Sequence, residues 1–284
     1  MQDVSELIKS RYTALSKGQR RLADIITESY ERAAYLTAAK LGELSGVSES
    51  TVVRFAVELG FSGYPHFQEA IQSMLRSHLT PSQRIEATKL RVGGGDLVTK
   101  VMSQDVEKIK STMDKLDREA FSEAIDRLIK ADTIYIYGAR SAAALACFLQ
   151  LNLNLVFDRV RLLQPSSVSE VFEQILPIGE NDVLFAISFP RYSSKLVKAV
   201  QYASSRGAFV IALTDSVRAP IAAEASCLLT AESDMASFAD SLVAPLSIIN
   251  ALLAEIASRS EERIKERFDR LEALWDEYDV YTKP

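Results

Sequence analysis

The 284 residues predict an all-α N-terminal segment followed by an α/β body built on a parallel sheet of about five strands. Three observations carry that expectation. From Val4 to Ser77 the apolar residues recur at helical spacing. From Thr133 to Thr230, short runs rich in β-branched and apolar residues alternate with helical ones. Between these regions, from His78 to Asp96, Pro81, a mixed-charge stretch and Gly93-Gly94-Gly95 interrupt all periodicity, which marks a domain joint.

In chain order, Val4–Tyr12 and Ser16–Arg32 predict two helices, the second opening with Ser16 and turning Leu22, Ile25, Ile26 and Tyr30 toward a core. Lys17, Arg20 and Arg21 fall on or near its solvent side, either as a solvated face or as salt-sensitive phosphate contacts. Thr37 is placed to cap a helix reaching about Leu44, with Leu41 and Leu44 inward. Gly46 then turns the chain, Val47 plugs the turn, and Ser48 is positioned as N-cap of a second helix over Glu49–Leu59. Val52, Val53, Phe55, Ala56 and Leu59 form that helix's apolar side. Tyr64–Ser77 continues helically around Phe67, Ile71, Met74 and Leu75.

Two short helices joined by a tight turn have the grammar of a DNA reader. The polar side of the second helix carries Ser48, Glu49, Ser50, Thr51 and Arg54. Short hydroxyl residues at a helix start permit close approach to base edges, and a guanidinium one turn on suits a guanine or a phosphate. Lys40, one of the basic residues of the preceding helix, joins them as a candidate contact. Taken singly, Ser48 is a cap and Arg54 a solvated cation; the joint pattern is what points to DNA. The stretch TAAKLGELSGVSESTVVRFAVELGFSGYPHFQ resembles the helix-turn-helix of the RpiR family of bacterial transcription regulators. Its specific parts are VSESTVVRF and LGFSGYPHF, and the resemblance implies that the second of these finishes a small winged or all-helical domain.

Composition narrows the function classes. With 48% hydrophobic and 25% charged residues the chain is globular rather than disordered. A formal net charge of -5 excludes a general polyanion binder, so a DNA-binding surface must be local. Cys147 and Cys227, far apart and flanked by apolar residues, predict two buried thiols rather than a disulfide or a metal site, which suggests a reducing compartment. The opening MQDVSELIKSRY lacks a signal-peptide core, and no apolar run is long enough to span a bilayer. The expectation is a cytoplasmic protein with no membrane partner, no metal and no cofactor.

The expected division is a helix-turn-helix domain over 1–80, a linker and connecting helix over 81–107, and a sheet domain over 108–284. The three glycines have no strand before them and are too few for a phosphate-binding fingerprint, so they read as a hinge. Helices resume at Leu97–Leu116 and Arg118–Ala131. Strands are expected at Thr133–Tyr137, Val160–Gln164, Val183–Phe189, Ala208–Thr214 and Cys227–Thr230, with helices at Ser141–Phe157, Val168–Leu176 and Ser193–Ser205. That alternation predicts helices on both faces of the sheet, with ligands collecting at the carboxyl ends of its strands.

Two loops at such ends stand out. Gly138-Ala139-Arg140-Ser141 leaves the first strand and starts a helix, offering N–H groups and a hydroxyl to an anion; alone, this is a weak signal. Ser188-Phe189-Pro190-Arg191-Tyr192-Ser193-Ser194-Lys195 occupies the same place after the third strand. Together they resemble the sugar isomerase (SIS) domain, a flavodoxin-like fold whose phosphosugar pocket uses hydroxyls from these two turns. The resemblance implies an effector site that includes Gly138, Arg140, Ser141, Ser188, Arg191 and Ser193. In the family the second loop reads Ser-x-Ser-Gly-x-Thr or Ser. Here Ser188 and Ser193 keep the outer positions, whereas Pro190 replaces a serine and Arg191 a glycine. Pro190 removes a hydroxyl and an N–H, and Arg191 either restores anion affinity or faces water. Ser166, Ser167 and Glu170, after the second strand, are candidates for the pocket edge, with Ser167 equally a helix cap.

Aldose–ketose isomerisation needs a base and usually an acid, often glutamate and histidine. His66 and His78 both lie in or beside the reader; Glu170, Glu173, Glu224 and Glu232 of the body could act as bases, but surface carboxylates are the commoner explanation. The expectation is therefore a regulator of carbohydrate genes with no catalytic residues, binding double-stranded operator DNA and controlled by a sugar-phosphate effector. The alternative is a phosphosugar isomerase or related sugar-converting enzyme with an accessory N-terminal domain. The apolar stretch Ala236–Ala257, interrupted by Pro245, and the charged stretch Arg259–Tyr278 with Ile264, Phe268, Leu271, Leu274 and Trp275 are expected to pack in the core or against a second subunit. SIS domains usually pair, so the resemblance implies a homodimer or higher homo-oligomer.

Overall fold

The computed structural model describes residues 4–78, 96–234 and 239–280. They divide into two compact units: one comprises residues up to Lys100 with Asp234 and Ala239, the other Val101–Ser233 and Asp240 onward. The three-glycine hinge and Pro81 lie outside the described residues.

The first unit is all-helical. Helices α1 (Val4–Arg11), α2 (Lys17–Glu28), α3 (Tyr30–Ala33), α4 (Ala38–Ser45), α5 (Glu49–Glu58) and α6 (Tyr64–His78) enclose one core containing Leu22, Ile26, Leu41, Val52, Phe55, Phe67 and Ile71. Ser16 opens α2 in a capping box with Gln19. The single helix expected over Ser16–Arg32 is broken at Ser29, whose ψ of 62° leaves the helical region. Residues Phe61 to Phe67 lead into α6, and no strand of a wing occurs among the described residues of this unit. The Phe67 ring stands edge-on to Phe55 and Phe61, at centroid distances of 5.6 and 5.3 Å. Carbonyls after α3 are satisfied from α6: Tyr64 Oη and Gln68 Nε2 donate to Leu36 O at 2.7 and 2.8 Å, and Gln72 Nε2 donates to Ala34 O at 2.8 Å. Burial pushes the Tyr64 phenol up to about 12, so it remains a donor.

The second unit contains α7 (Leu97–Lys115, entered from the first unit), α8 (Arg118–Lys130), β1 (Ile134–Gly138), α9 (Ala142–Asn154), β2 (Val160–Leu162), α10 (Val168–Ile175), β3 (Val183–Ile187), α11 (Ser194–Ser205), β4 (Phe209–Thr214), β5 (Cys227–Thr230), α12 (Val243–Arg259) and α13 (Glu261–Glu277). All strand pairs are parallel, in the order β2-β1-β3-β4-β5. Strand alternation sends Ile136, Phe185, Ile211 and Leu229 to one face, under α8, α9 and α12. Tyr135, Leu184, Val210 and Ala212 go to the other, under α10 and α11. The order reverses between β1 and β3, the point at which sheets of this kind take their ligands, beside the loops that follow the two strands.

Two expectations change here. Of the apolar stretch 236–257, read as a helix interrupted by Pro245, residues 236–238 lie outside the described residues; the helix begins at Val243, so Pro245 falls in its first turn, where a missing N–H costs nothing, and does not interrupt it. Cys227 is buried, its Sγ 3.1 Å from Ala120 O, but Cys147 is only half-buried; both are free thiols. Helix α7 buries Lys108 and Thr112 while exposing Met102, Val106 and Met113. Its polar side is held by the segment after β5. Thr112 Oγ1 accepts from Glu232 N at 2.9 Å, Ser111 Oγ donates to Glu232 Oε1 at 3.1 Å, and Ser241 Oγ donates to Asp105 Oδ1 at 2.6 Å.

Candidate functional site

The reader is built around Gly46. Its φ of 64° is left-handed, and its N–H closes onto Glu43 O and Gly42 O to end α4 after one residue, which makes the turn into α5 tight. Thr37 caps α4 by accepting from Lys40 N. Ser48 stands at the N-cap of α5, but its hydroxyl does not cap the backbone. It lies 2.9 Å from both Ser50 Oγ and Thr51 Oγ1, so three hydroxyls form one cluster at the helix start. Ser48, Glu49, Ser50, Arg54 and Lys40 are exposed and Thr51 is half-buried. Arg54 Nε reaches Ser50 O only at 3.4 Å, which leaves the guanidinium directed outward. Behind the turn, Arg21 donates to Gly46 O at 3.2 Å, placing a cation beside it.

Two residues expected in the core are not there. Leu44 and Val53 are 42% and 38% exposed, while Leu41, Val52, Phe55, Ala56 and Leu59 fill the interior. Val53 instead shares the outward face of α5 with Ser50, Arg54 and Val57. The core positions 52, 55, 56 and 59 already imply this phase, so the signal was present in the sequence.

The second candidate site lies at the carboxyl ends of β1 and β3. Gly138 pairs in register with Ile187, so the loop from Ala139 to Ser141 and the loop from Ser188 to Ser193 leave the sheet side by side. A Cβ on Gly138 would lie 2.3 Å from Ala142 O, which explains why a glycine ends β1: α9 starts directly against the strand. Among the described residues, no hydrogen bond within the protein engages the hydroxyl of Ser141, Ser188 or Ser193. The backbone N–H of Ser188 is held by Leu213 O at 3.0 Å, which fixes the start of the second loop against β4. Tyr192 Oη donates to Asp215 Oδ1 at 2.8 Å and ties the same loop to the residue after β4.

Arg140 and Arg191 both adopt left-handed backbone, with φ of 60° and 67°. Arg191 thus takes, without being glycine, the conformation that its glycine-bearing counterparts reach freely. A left-handed non-glycine residue costs on the order of 1–2 kcal/mol, and such strain gathers at ligand sites. Arg191→Gly is therefore expected to stabilise the sheet unit by about 1 kcal/mol while weakening anion binding. Thermal unfolding and a sugar-phosphate titration of the same variant check both halves.

The β2–α10 loop is committed elsewhere. Ser167 Oγ accepts from Glu170 N, and Glu170 Oε2 accepts from the N–H groups of Ser167 and Ser166 and, at 2.8 Å, from Ser166 Oγ. These donors, led by the Ser166 hydroxyl and aided by nearby Lys195, hold the Glu170 carboxyl below the usual carboxylate range. Ser167 is thus a helix cap, and the donors around the Glu170 carboxylate make it a weaker base than an ordinary glutamate. Glu232 accepts from Ser111 and from Lys115. His66 and His78 both belong to α6 in the first unit.

Residues 2–78 match the helix-turn-helix domain of the rpiR family, and residues 127–255 match the SIS domain. The regulator HexR of Escherichia coli K12, an HTH-type transcriptional regulator, is 28% identical over 283 residues, covering 95% of this chain and 93% of that protein. HexR of Pseudomonas aeruginosa is 26% identical over 266 residues, covering 91% and 90%. Among solved structures, the sugar isomerase domain of an RpiR transcription factor from Sphaerobacter thermophilus is 29% identical with a TM-score of 0.60, covering 63% of this chain and 99% of that one. Vibrio vulnificus NanR, complexed with ManNAc-6P, shares the fold across 99% of this chain and 100% of its own, at 20% identity and a TM-score of 0.62. Among the described residues no helix is long and apolar enough to cross a membrane, and no cluster of metal-binding side chains is present.

Proposed function

We propose that this chain, which belongs to the RpiR family of helix-turn-helix transcription regulators carrying a SIS domain, binds an operator through α5 and is controlled by a phosphorylated sugar metabolite at the carboxyl ends of β1 and β3. The observation that carries the reading is the paired loops: the exposed Ser141, the half-buried Ser193 and the buried Ser188 have no partner for their hydroxyls among the described residues, and they share those loops with Arg140 and Arg191 at the strand ends where a doubly wound sheet takes its ligands. Arg191 supplies a forked cation in place of the donors that Pro190 lacks. The ManNAc-6P held by NanR supports the sugar-phosphate class.

The sheet unit acts as a sensor rather than an isomerase. Glu170 is held as part of a helix cap, Glu232 is paired with Lys115, Asp215 accepts from Tyr192, and the chain's two histidines lie in the helical unit. A regulator of this kind works beside the chromosome, in the cytoplasm. Pairing of two chains through the sheet unit, where α9 exposes Phe148 and Leu151, would present two readers to an operator of two-fold symmetry. The polar attachment of α7 to the segment after β5 is the coupling element we favour, since α7 contributes residues to both units and a few hydrogen bonds can be exchanged for water at small net cost.

The test is a thermal-shift series on the full chain against sugar phosphates and their unphosphorylated counterparts. A ligand at 100 times its dissociation constant is expected to add about 2.7 kcal/mol to the stability of the sheet unit. Ser141→Ala should lose most of that shift. Equal shifts with and without the phosphate, or none with any sugar phosphate, would contradict the effector assignment.

A further inference from the structure

We propose that Val53, assisted by Val57, reads thymine C5-methyl groups in the operator, an inference that rests on α5 being the DNA-reading helix. Val52, Phe55, Ala56 and Leu59 are already fully packed, so the apolar requirement of α5 is met without these two residues. Val53 and Val57 are nevertheless apolar, 38% and 53% exposed, and one helical turn apart on the face that carries Ser50 and Arg54. Single exposed valines are ordinary and need no explanation. A β-branched pair on a solvent face is less so, because valine has poorer helix propensity than the straight-chain and charged residues that usually occupy such positions.

The chemistry of the face narrows the partner. Ser48, Ser50 and Thr51 offer hydroxyls, and Arg54 offers a cationic fork, all of which address phosphates or the acceptors of purines. Isopropyl groups have no such target. On a major-groove edge the one apolar feature is the methyl of thymine, and it distinguishes thymine from every other base. Val53, the fifth residue of α5, lies in the half of a recognition helix that enters the groove, whereas Val57 lies a turn further from it. Val53 therefore makes the principal contact. Arg54 and the hydroxyl cluster position the helix, and Val53 selects the base.

The experiment uses the full chain and an operator recovered from a random duplex pool. Each thymine is replaced singly by deoxyuracil, which removes only the methyl group. For the wild type, one replacement per half-site is expected to weaken binding about threefold to tenfold, the worth of burying a methyl-sized apolar group. Val53→Ala should weaken binding to the unmodified operator comparably and become indifferent to deoxyuracil at that same position, with an unchanged melting curve. The proposal is overturned if wild type and Val53→Ala respond alike at every thymine, or if Val53→Ala binds as tightly as wild type. A protein that recovers no operator from the pool loses the DNA-reading function itself, and this inference with it; an operator lacking any methyl dependence removes the thymine reading alone.

Discussion

Gly138→Ala will destabilise the sheet unit by about 3 kcal/mol, near the upper end of what overpacking costs. An added Cβ would lie 2.3 Å from Ala142 O, 2.8 Å from Ala142 C and 2.9 Å from Ala146 Cβ. The first two are backbone atoms of the opening turn of α9, so no rotamer change relieves the clash. Either α9 moves off the end of β1 or the strand shifts in register against β3. Both displace Ser141 from the loop that begins at Ser188. For a unit of this size, 3 kcal/mol lowers the melting temperature by roughly 6–12 °C. Gly179→Ala is the control, because a Cβ there meets nothing within 4 Å. The calorimetric transition of the sheet unit checks the prediction; equal melting of the two variants would mean that the start of α9 is not seated against β1.

Arg54→Ala is the second large effect, on binding rather than folding. The side chain is exposed and its one contact in the described structure is a long bond to Ser50 O in its own helix, so its removal should change stability by no more than about 0.5 kcal/mol. Operator affinity, by contrast, should fall tenfold or more, by about 1–3 kcal/mol, if the guanidinium meets a base or phosphate. The salt dependence separates the two partners. A lost phosphate contact lowers the slope of log affinity against log salt by about one, whereas a lost guanine contact relaxes sequence preference at one position.

The helix-turn-helix and the parallel sheet were legible because each rests on a short-range rule. Gly46 marks a left-handed turn, Leu41, Phe55, Phe67 and Ile71 keep helical phase, and Val183–Ile187 is a run of apolar residues with polar punctuation. Sequence and structure diverge where residue type and helical phase disagree. Leu44 and Val53 read as inward on residue type alone, although positions 41, 52, 55 and 56 fix a face that excludes them. Ser29, in the middle of an otherwise helical stretch, breaks it through backbone geometry that composition does not encode. The sequence likewise cannot say that α7 docks through Lys108 and Thr112 rather than through Met102 and Val106, because Thr112 is paired by Glu232 N, and Asp105, which accepts from Lys108, is itself bonded by Ser241, both more than a hundred residues away. At the effector loops, the serines could be placed from the strand–turn–helix order. The left-handed backbone of Arg140 carries no signal in residue type, and that of Arg191 is visible only through the glycine found at its place in the family.

The central claim is that occupancy of the site at the ends of β1 and β3 changes DNA affinity. It is tested most directly by titrating the full chain onto a labelled, pool-selected operator at increasing concentrations of the sugar phosphate giving the largest thermal shift, and repeating the series with Ser141→Ala. The expected result is a 5- to 150-fold change in operator affinity, corresponding to about 1–3 kcal/mol of coupling, with ligand affinity changing by the same factor when operator is present and no change in the variant. Operator curves that superimpose at all ligand concentrations, for a ligand shown to bind, would contradict it.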